Sequence, residues 1–319
     1  MISMLLSSAA GALELALPAQ CIIGKDCFIQ QYPDMDAGPG ASDPFCGSAT
    51  YDGHDGIDLR LPSMADVARG VAVVAMADGT VLRSRDGEPD HLVTSEADTV
   101  AVADKECGNG MIVDHGGGFE VQYCHLRQGS LAVKGGDAVK RGQKLAEIGA
   151  SGFAQFPHVH VTVRHYGKTI DPTTGHELLA GCLKAGETTR SLFAPEIVAT
   201  LTKGESELID FGLAGGPVDH AALSASGPPP QATIASPAIV GWGWFINLRK
   251  GDRVVVLLSG PDGHQISINR SEPLDRAKAS YSAFAGKKGA PLPGAYTVKV
   301  AVERDGSILF ERTGTYDVE

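Results

Sequence analysis

In the stretch FPHVHVTVRH, residues 156–165, polar and apolar side chains alternate from His158 to Arg164. Successive side chains of a β-strand point to opposite faces, so the pattern predicts a strand with one valine face in a core and one polar face. The polar face carries His158, His160, Thr162 and Arg164. Two neighbouring imidazoles on one face are poor packing material, but they suit a metal ion together with a group that transfers protons.

The rest of the chain is rich in short apolar runs that are interrupted by turn residues. Its 319 residues include 40 Gly and 18 Pro, and 43% of all residues are hydrophobic. Frequent turn residues favour many short strands over helices, and a chain of this length is expected to build two cores. The sequence therefore predicts an all-β protein with two domains.

Composition shifts between residues 185 and 235, and we expect the domain boundary near residue 195. The first domain, 21–195, would begin with an irregular segment at 21–50 and contain a long loop at 84–108. The second domain, 196–319, is predicted to be an immunoglobulin-like β-sandwich. Its strands are indicated by alternating Trp242, Trp244, Ile246 and Leu248, by Val254, Val256 and Leu258, and by Tyr296, Val298, Val300 and Val302 before a turn at Asp305-Gly306. We expect the two tryptophans to be core residues rather than a ligand platform.

The N-terminus, residues 1–20, is a candidate signal segment, truncated at its start. A short apolar run is followed by Ala10-Gly11-Ala12, the small-x-small pattern that precedes a signal-peptidase cut, although no Lys or Arg precedes the run. We therefore expect export to the periplasm or cell envelope. No other segment approaches the ~20 apolar residues that a transmembrane helix requires.

The six cysteines all lie in the first two thirds of the chain, and none forms a C-x-x-C pair. In an exported protein this pattern favours disulfides over a thiolate zinc site. Residues 109–115 and 118–126 are predicted to form an antiparallel hairpin around Gly116-Gly117. That hairpin would bring Cys107 and Cys124 to the same end of the ladder, so we expect a bridge between them.

The charge of the chain argues against a nucleic-acid partner. The net charge is −11 with 27 Lys and Arg, and no basic cluster is present to bind a phosphate backbone. The sequence gives no indication of an oligomeric state.

Two further segments carry histidines that belong with FPHVH. In YDGHDGIDLR, His54 and Asp58 are four residues apart, a spacing that places both on one face of an extended run. The segment VQYCHL carries His125 at the end of a predicted strand. His115 is the one competitor for a metal, but its setting, DHGGG, favours a hairpin turn.

In this order and on this β background, the three motifs closely resemble those of the lysostaphin-like (LytM-type) zinc metallopeptidases, which cleave peptide crosslinks of bacterial peptidoglycan. The resemblance runs from about Tyr51 to Pro172 and includes ADGTV (77–81), VKGGDAVKRGQKLAEIG (133–149) and VRHYGKTIDP (163–172). It implies a lysostaphin-like β-sheet domain of the duplicated hybrid motif type. It also implies one Zn²⁺ per chain, bound by His54, Asp58 and His160, with His125 and His158 as the catalytic histidines.

The chemistry of these residue types agrees with the resemblance. Two imidazoles and one carboxylate leave a coordination position open for water, as catalytic zinc sites do, and bound zinc lowers the pKa of that water. One of His125 and His158 would then act as the base, and the other would stabilise the oxyanion or protonate the leaving amine. The sequence does not decide which does which.

The resemblance implies an exported zinc endopeptidase that hydrolyses peptide crosslinks or stem peptides of peptidoglycan with a zinc-activated water. Two alternatives stay open: a non-catalytic protein that binds cell wall or activates an amidase, and a zinc hydrolase of another substrate such as a protein. This chain departs from the family pattern at Cys124 and at FAQF (153–156). The segment 21–50 and longer loops at 62–70 and 84–108 could narrow or block the groove.

Overall fold

The computed structural model describes residues 13–201 and 206–319. The candidate signal-peptidase site at Ala10-Gly11-Ala12 lies outside the described residues, and export stays a prediction. Residues 13–20 are part of the first core, because Leu15 is fully buried and its N–H donates to Leu192 O at 2.6 Å. Over the two described ranges, no helix has the length and apolar character needed to cross a membrane.

Ten strands and three short helices are described up to residue 201. They are β1 (Phe28–Gln31), β2 (Ile57–Arg60), α1 (Met64–Val67), β3 (Ala72–Val74), β4 (Gly79–Arg85), α2 (Glu96–Ala101), β5 (Asn109–Gly116), β6 (Phe119–Leu126), β7 (Ala138–Val139), β8 (Lys144–Glu147), β9 (His158–His165), β10 (Lys168–Ile170) and α3 (Pro195–Leu201). Eight strands form one antiparallel sheet in the order β1-β2-β9-β6-β5-β4-β7, with β10 also paired to β9, while β3 and β8 pair separately.

Strand β9 has the two faces that its sequence predicts. Val159, Val161 and Val163 are buried in the first hydrophobic core, which also receives residues from β2, β5 and β6. His158 and His160 therefore lie on the opposite face of the sheet, and β9 occupies a central position between β2 and β6.

The predicted hairpin and its disulfide are confirmed. Strands β5 and β6 pair antiparallel, with Met111 opposite Tyr123, and the turn lies at Gly117-Gly118, one residue later than expected. Cys107 and Cys124 are bridged, with their Cα atoms 4.8 Å apart. The remaining cysteines form the bridges Cys21–Cys27 and Cys46–Cys182, so no cysteine is free.

Two segments that were expected to be irregular contain regular structure. The segment 21–50 includes β1, which pairs with β2. The expected loop 84–108 contains the end of β4 and helix α2, whose N-cap Ser95 forms a capping box with Asp98. None of the residues of α2 is buried. The helix therefore has no apolar stripe, which is the pattern that would have predicted it.

After residue 205 the chain forms a second β unit. Its elements are β11 (Glu207–Ala214), α4 (His220–Ser226), β12 (Ala238–Leu248), β13 (Arg253–Ser259), β14 (Gln265–Arg270), β15 (Lys278–Lys288), β16 (Gly294–Arg304) and β17 (Ser307–Val318). One sheet has the order β11-β12-β15 and the other the order β14-β13-β16-β17. The predicted alternation in β16 is confirmed, since Val298, Val300 and Val302 are fully buried, and the turn to β17 lies at Asp305-Gly306.

The all-β architecture is thus confirmed, and a second β unit follows the first along the chain. The finer name, immunoglobulin-like, and the boundary near residue 195 stay predictions. Helix α3 begins at Pro195, and its Leu201 is still buried in the first core.

The two units share a buried contact that involves both tryptophans. Trp242 and Trp244 form a separate cluster with Phe28 of β1, so they are core residues as expected. Beside them, Gln30 Nε2 donates to Ala279 O at 2.7 Å, and Asn247 Nδ2 donates to Ile29 O at 3.2 Å. The second unit therefore contacts β1, the edge strand of the sheet, which is paired with the strand that carries Asp58.

Candidate metal and catalytic site

Three strands bring the predicted site residues together. Strand β2 pairs with β9 so that Asp58 lies opposite His160, and β6 pairs with β9 on the other side so that Cys124 also lies opposite His160. His54 precedes β2, and His125 follows Cys124. Residues that are far apart in sequence therefore converge on one face because of the strand register.

His54, Asp58 and His160 form a compact set of donor atoms. The three atoms lie within 4.8 Å of one another. His54 Nε2 is 3.2 Å from both Asp58 Oδ1 and His160 Nδ1, and His160 Nδ1 is 2.8 Å from Asp58 Oδ1. Zn–N and Zn–O distances of ~2.0–2.1 Å place tetrahedral donors about 3.3 Å apart. The donor set therefore fits a single zinc ion.

Hydrogen bonds on the outer side of each imidazole fix the nitrogen that faces the centre. His54 Nδ1 lies 2.7 Å from Tyr32 O, so this nitrogen carries the proton and Nε2 is left as a donor atom for a metal. His160 has the reverse arrangement, with Nε2 3.2 Å from Asp55 Oδ1 and Nδ1 directed at Asp58. Sequence reasoning missed Asp55, although it stands next to His54 in HDGID.

His125 and His158 form a second imidazole pair beside the donor set. Their ring centroids are 4.4 Å apart. The Nδ1 atoms donate to Ser151 O and Phe156 O, each at 2.8 Å, which leaves both Nε2 atoms free of these bonds. His158 Nε2 lies 3.7 Å from Asp58 Oδ1. Both imidazoles therefore lie next to the position that a metal held by Asp58 would occupy.

The backbone of His125 is in the left-handed region, with φ of 58°. This conformation is uncommon for a residue with a side chain and persists where the surroundings impose it. His125 N donates to Cys107 O at 2.9 Å, next to the Cys107–Cys124 bridge. The disulfide therefore contributes to the orientation of a site residue.

Burial and neighbouring charges separate the pKa values of the site. Burial alone would raise the pKa of Asp58, but His54, His158 and His160 hold it well below its usual value. His160 is partly buried, and its hydrogen bonds and charge interactions with Asp55 and Asp58 outweigh the effect of burial and raise its pKa to about 9. Burial lowers the pKa of His125 and of His158. The last two are therefore neutral near pH 7, as a proton acceptor must be.

The site opens to solvent through a cavity of about 160 Å³. Apart from the site residues, its walls are Gln31, Tyr51, Phe153, Gln155 and Phe156. The segment FAQF, which departs from the family pattern, thus forms one wall.

His115 does not line the catalytic cavity, and its Nδ1 lies 2.9 Å from Asp78 O near the hairpin turn. Two imidazoles and a carboxylate beside two further imidazoles in an open cavity are the residue types that metal-dependent hydrolases use.

Residues 52–172 match the family model described as Peptidase family M23. The chain therefore contains an M23 domain of the LytM type, and the matched range holds all five predicted site residues. The resemblance inferred from the three motifs is confirmed.

Two curated relatives match part of this chain. An uncharacterised metalloprotease of Haemophilus influenzae is 31% identical over 121 residues, which cover 38% of this chain and 20% of that protein. The peptidoglycan DD-endopeptidase ShyB of Vibrio cholerae is 33% identical over 85 residues, which cover 27% of this chain and 20% of ShyB. The match thus spans about a fifth of each relative's length.

Among solved structures, the catalytic domain of the antimicrobial peptidase lysostaphin from Staphylococcus simulans is similar. It is 21% identical, with a TM-score of 0.29, and the alignment covers 44% of this chain and 89% of that domain.

Proposed function

We propose that the protein is an exported zinc-dependent endopeptidase that hydrolyses peptide crosslinks or stem peptides of bacterial peptidoglycan. The observation that carries the proposal is the convergence of His54, Asp58 and His160 donor atoms within 4.8 Å, next to two neutral imidazoles. The M23 domain supports the peptidase activity, and the similarity to ShyB, a peptidoglycan DD-endopeptidase, supports the substrate class. Six cysteines joined in three disulfides support an oxidising compartment.

The residues of the donor set and the two neighbouring histidines have different roles in peptide hydrolysis. Zinc held by His54, Asp58 and His160 would acidify a water molecule and polarise the scissile carbonyl. One of His125 and His158 accepts the proton of the attacking water, and the other donates a proton to the leaving amine or a hydrogen bond to the oxyanion. Their Nδ1 bonds to backbone carbonyls hold both rings with Nε2 available for these transfers.

Metal analysis and product analysis test the proposal. The purified protein should contain one equivalent of zinc and cleave defined muropeptides, with products identified by mass spectrometry. A chelator should abolish cleavage, and zinc should restore it. His160→Ala should remove both metal and activity, whereas His115→Ala, outside the site, should remove neither. Wall binding that survives His160→Ala, without any hydrolysis by the wild type, would instead indicate a non-catalytic protein. Digestion of unstructured protein but not of peptidoglycan would indicate another substrate.

The second unit has a proposed role in positioning the substrate. A cleft of about 930 Å³ lies between α4 and the start of β15 on one side and the first unit on the other. Its lining shares Gln31, Gln155 and Phe156 with the catalytic cavity, so the two spaces adjoin. A polymer bound at the catalytic site would therefore extend along a wall that the second unit supplies.

A bulky residue in the cleft tests this role. Ala225→Trp would fill part of the cleft from α4 and should slow digestion of polymeric peptidoglycan more than that of a short peptide. Ala290→Trp, in a separate cavity of the second unit, is the matched control. Equal effects of the two variants on the polymer would argue against the role.

A further inference from the structure

Another cavity, of about 310 Å³, lies on the sheet that carries the catalytic site. Its lining includes Arg83, Arg85, Cys107, Gly110, Ile112 and Gln122. The register across the sheet shows that this cavity and the catalytic histidines are on the same face. Gln122 of β6 lies opposite Thr162 of β9, Ile112 of β5 lies opposite Gln122, and Arg83 of β4 lies opposite Ile112.

The distance between the two sites suits an extended peptide. Three strand-to-strand steps separate β9 from β4, which at ~4.8 Å per step amounts to about 14 Å. An extended chain advances ~3.3 Å per residue, so about four residues would cover this distance. A peptide with its scissile bond at the donor set would therefore place a neighbouring residue at Arg83 and Arg85.

The protein surface between the catalytic site and this cavity has few protruding side chains. Gly110 carries no side chain, and a Cβ there would lie only 2.8 Å from Cys107 Sγ. Gln122 is held flat by its own contacts, since its Oε1 accepts from Arg164 Nη1 at 2.9 Å and its Nε2 lies 3.1 Å from Cys124 Sγ. Glycine backbone and the disulfide thus form a floor over which a peptide can pass.

Two arginines line this cavity, although the chain as a whole has a net charge of −11. Both are exposed, and neither forms an ion pair with a carboxylate in the ranges that the structure describes. Arg85 Nε donates to Gly108 O at 2.7 Å, which orients its guanidinium at the cavity. Nearby Lys105, in contrast, is paired with Glu88 at 2.8 Å. The cavity therefore offers two guanidinium groups without an internal anion.

We propose that this cavity is a subsite for a carboxylate of the peptide substrate, about four residues from the bond that is cleaved. Guanidinium groups bind carboxylates through paired, charge-assisted hydrogen bonds, which supports an acidic peptide over a neutral one. The inference rests on the proposed endopeptidase function and adds a preference for substrates with a free carboxylate at that distance.

The test uses pairs of synthetic crosslink peptides whose two members differ only in one side-chain group. In each pair an acidic residue three to five positions from the scissile bond carries either its carboxylate or the corresponding amide. The full-length, zinc-loaded protein should show a kcat/KM at least about tenfold higher for the acid, as a charged hydrogen bond implies. Arg83→Gln should lower kcat/KM for the acid more than for the amide and so remove this preference. Arg83→Lys should keep part of the preference, and Arg312→Gln, an exposed arginine of the second unit, should keep all of it.

Equal kcat/KM for acid and amide in the wild type, or an equal loss on both peptides in Arg83→Gln, would overturn the subsite while leaving the endopeptidase in place. Calorimetric titration of the same peptides separates the two proposals if the wild type cleaves neither. Tighter binding of the acid that depends on Arg83 would then support the subsite and contradict the hydrolase. Identical affinities for both peptides would contradict the subsite.

Discussion

Asp55 is close to both a proposed ligand and a cation. Its Oδ1 lies 3.2 Å from His160 Nε2, and its Oδ2 lies 3.7 Å from Arg164 Nη2. A carboxylate that accepts the outer N–H of a metal-binding imidazole fixes the ring and raises its basicity.

We expect Asp55→Ala to weaken zinc binding by about 10- to 100-fold, because His160 loses this partner. Competition with a chelator of known affinity would measure the change. Asp52→Ala removes an exposed carboxylate of the same loop and should leave zinc affinity unchanged. Equal zinc affinity in the Asp55 variant and the wild type would show that Thr162, whose Oγ1 lies 3.0 Å from His160 Nε2, is a sufficient partner.

The pair His125 and His158 should affect turnover rather than metal content. Replacing either with Ala is expected to lower kcat by about 10²- to 10⁴-fold, the usual contribution of a positioned acid or base. Zinc stoichiometry, measured on the same preparations, should stay at that of the wild type because neither residue belongs to the donor set. Loss of zinc from His158→Ala would assign it to the ligands instead, since its Nε2 is 3.7 Å from Asp58 Oδ1.

At this scale the sequence predicted residues that the structure brings together, but not their orientation. All five predicted residues lie together, since motif order and spacing identify them. The role of Asp55 was not predictable, because HDGID and its flank contain several carboxylates and only the direction of His160 Nε2 distinguishes one of them.

The contact between β2 and β9 depends on a glycine at the start of β2. A Cβ at Gly56 would lie 2.5 Å from Val161 O and 2.6 Å from His160 Nε2. Both neighbours belong to β9, so any side chain here would separate the two strands that carry Asp58 and His160.

Gly56→Ala is therefore expected to destabilise the fold by about 1–3 kcal/mol, as overpacking does, and to reduce zinc binding. Urea unfolding of the zinc-free protein and zinc titration would measure the two effects. Gly216→Ala is the matched control, because its Cβ would meet no atom within 4 Å. Unchanged stability and zinc affinity in Gly56→Ala would mean that β9 can shift without cost.

Elements were predictable where a long alternation or a glycine turn marks them. Strands β9 and β16 follow their alternation, and β5 and β6 follow their turn. The four-residue β1 was not predicted, because so short a strand offers little alternation. Helix α2 lacks buried residues, although the sequence Ser95-Glu96-Ala97-Asp98 carried a capping signal.

At the scale of the whole molecule, Arg60 connects the second unit to the catalytic wall. Its guanidinium carbon lies 4.8 Å from the ring centre of Phe156 and 4.9 Å from that of Trp244. Phe156 in turn lies 4.6 Å from the ring of His158. Burial lowers the pKa of Arg60 to about 9, so the group stays charged at neutral pH and both rings retain their cation–π contact.

Trp244→Ala and Trp242→Ala should each destabilise the protein by about 3–5 kcal/mol, since both side chains are buried in one cluster. Of the two, Trp244→Ala alone should also lower kcat for hydrolysis, because it removes the support of Arg60 and Phe156. Thermal unfolding and activity well below the unfolding temperature would distinguish the effects. Equal activities of the two variants would show that the second unit does not influence His158.

The sequence could predict two β units but not how they meet. The faces of β12 explain why: Phe245 packs in the core of the second unit, while Trp244 packs against β1. Alternation identifies a strand with two buried faces, but it does not say which partner covers each face. That information lies in contacts between residues more than 200 positions apart, such as Gln30 and Asn247.

The bridge between Cys46 and Cys182 encloses most of the first unit, with 136 positions between its ends. Lys105 is half exposed between them, in the segment before β5. If trypsin nicks the chain there, the two fragments stay joined through sulfur. Such a nicked molecule would run as one intact band on a non-reducing gel and separate into two only after dithiothreitol is added.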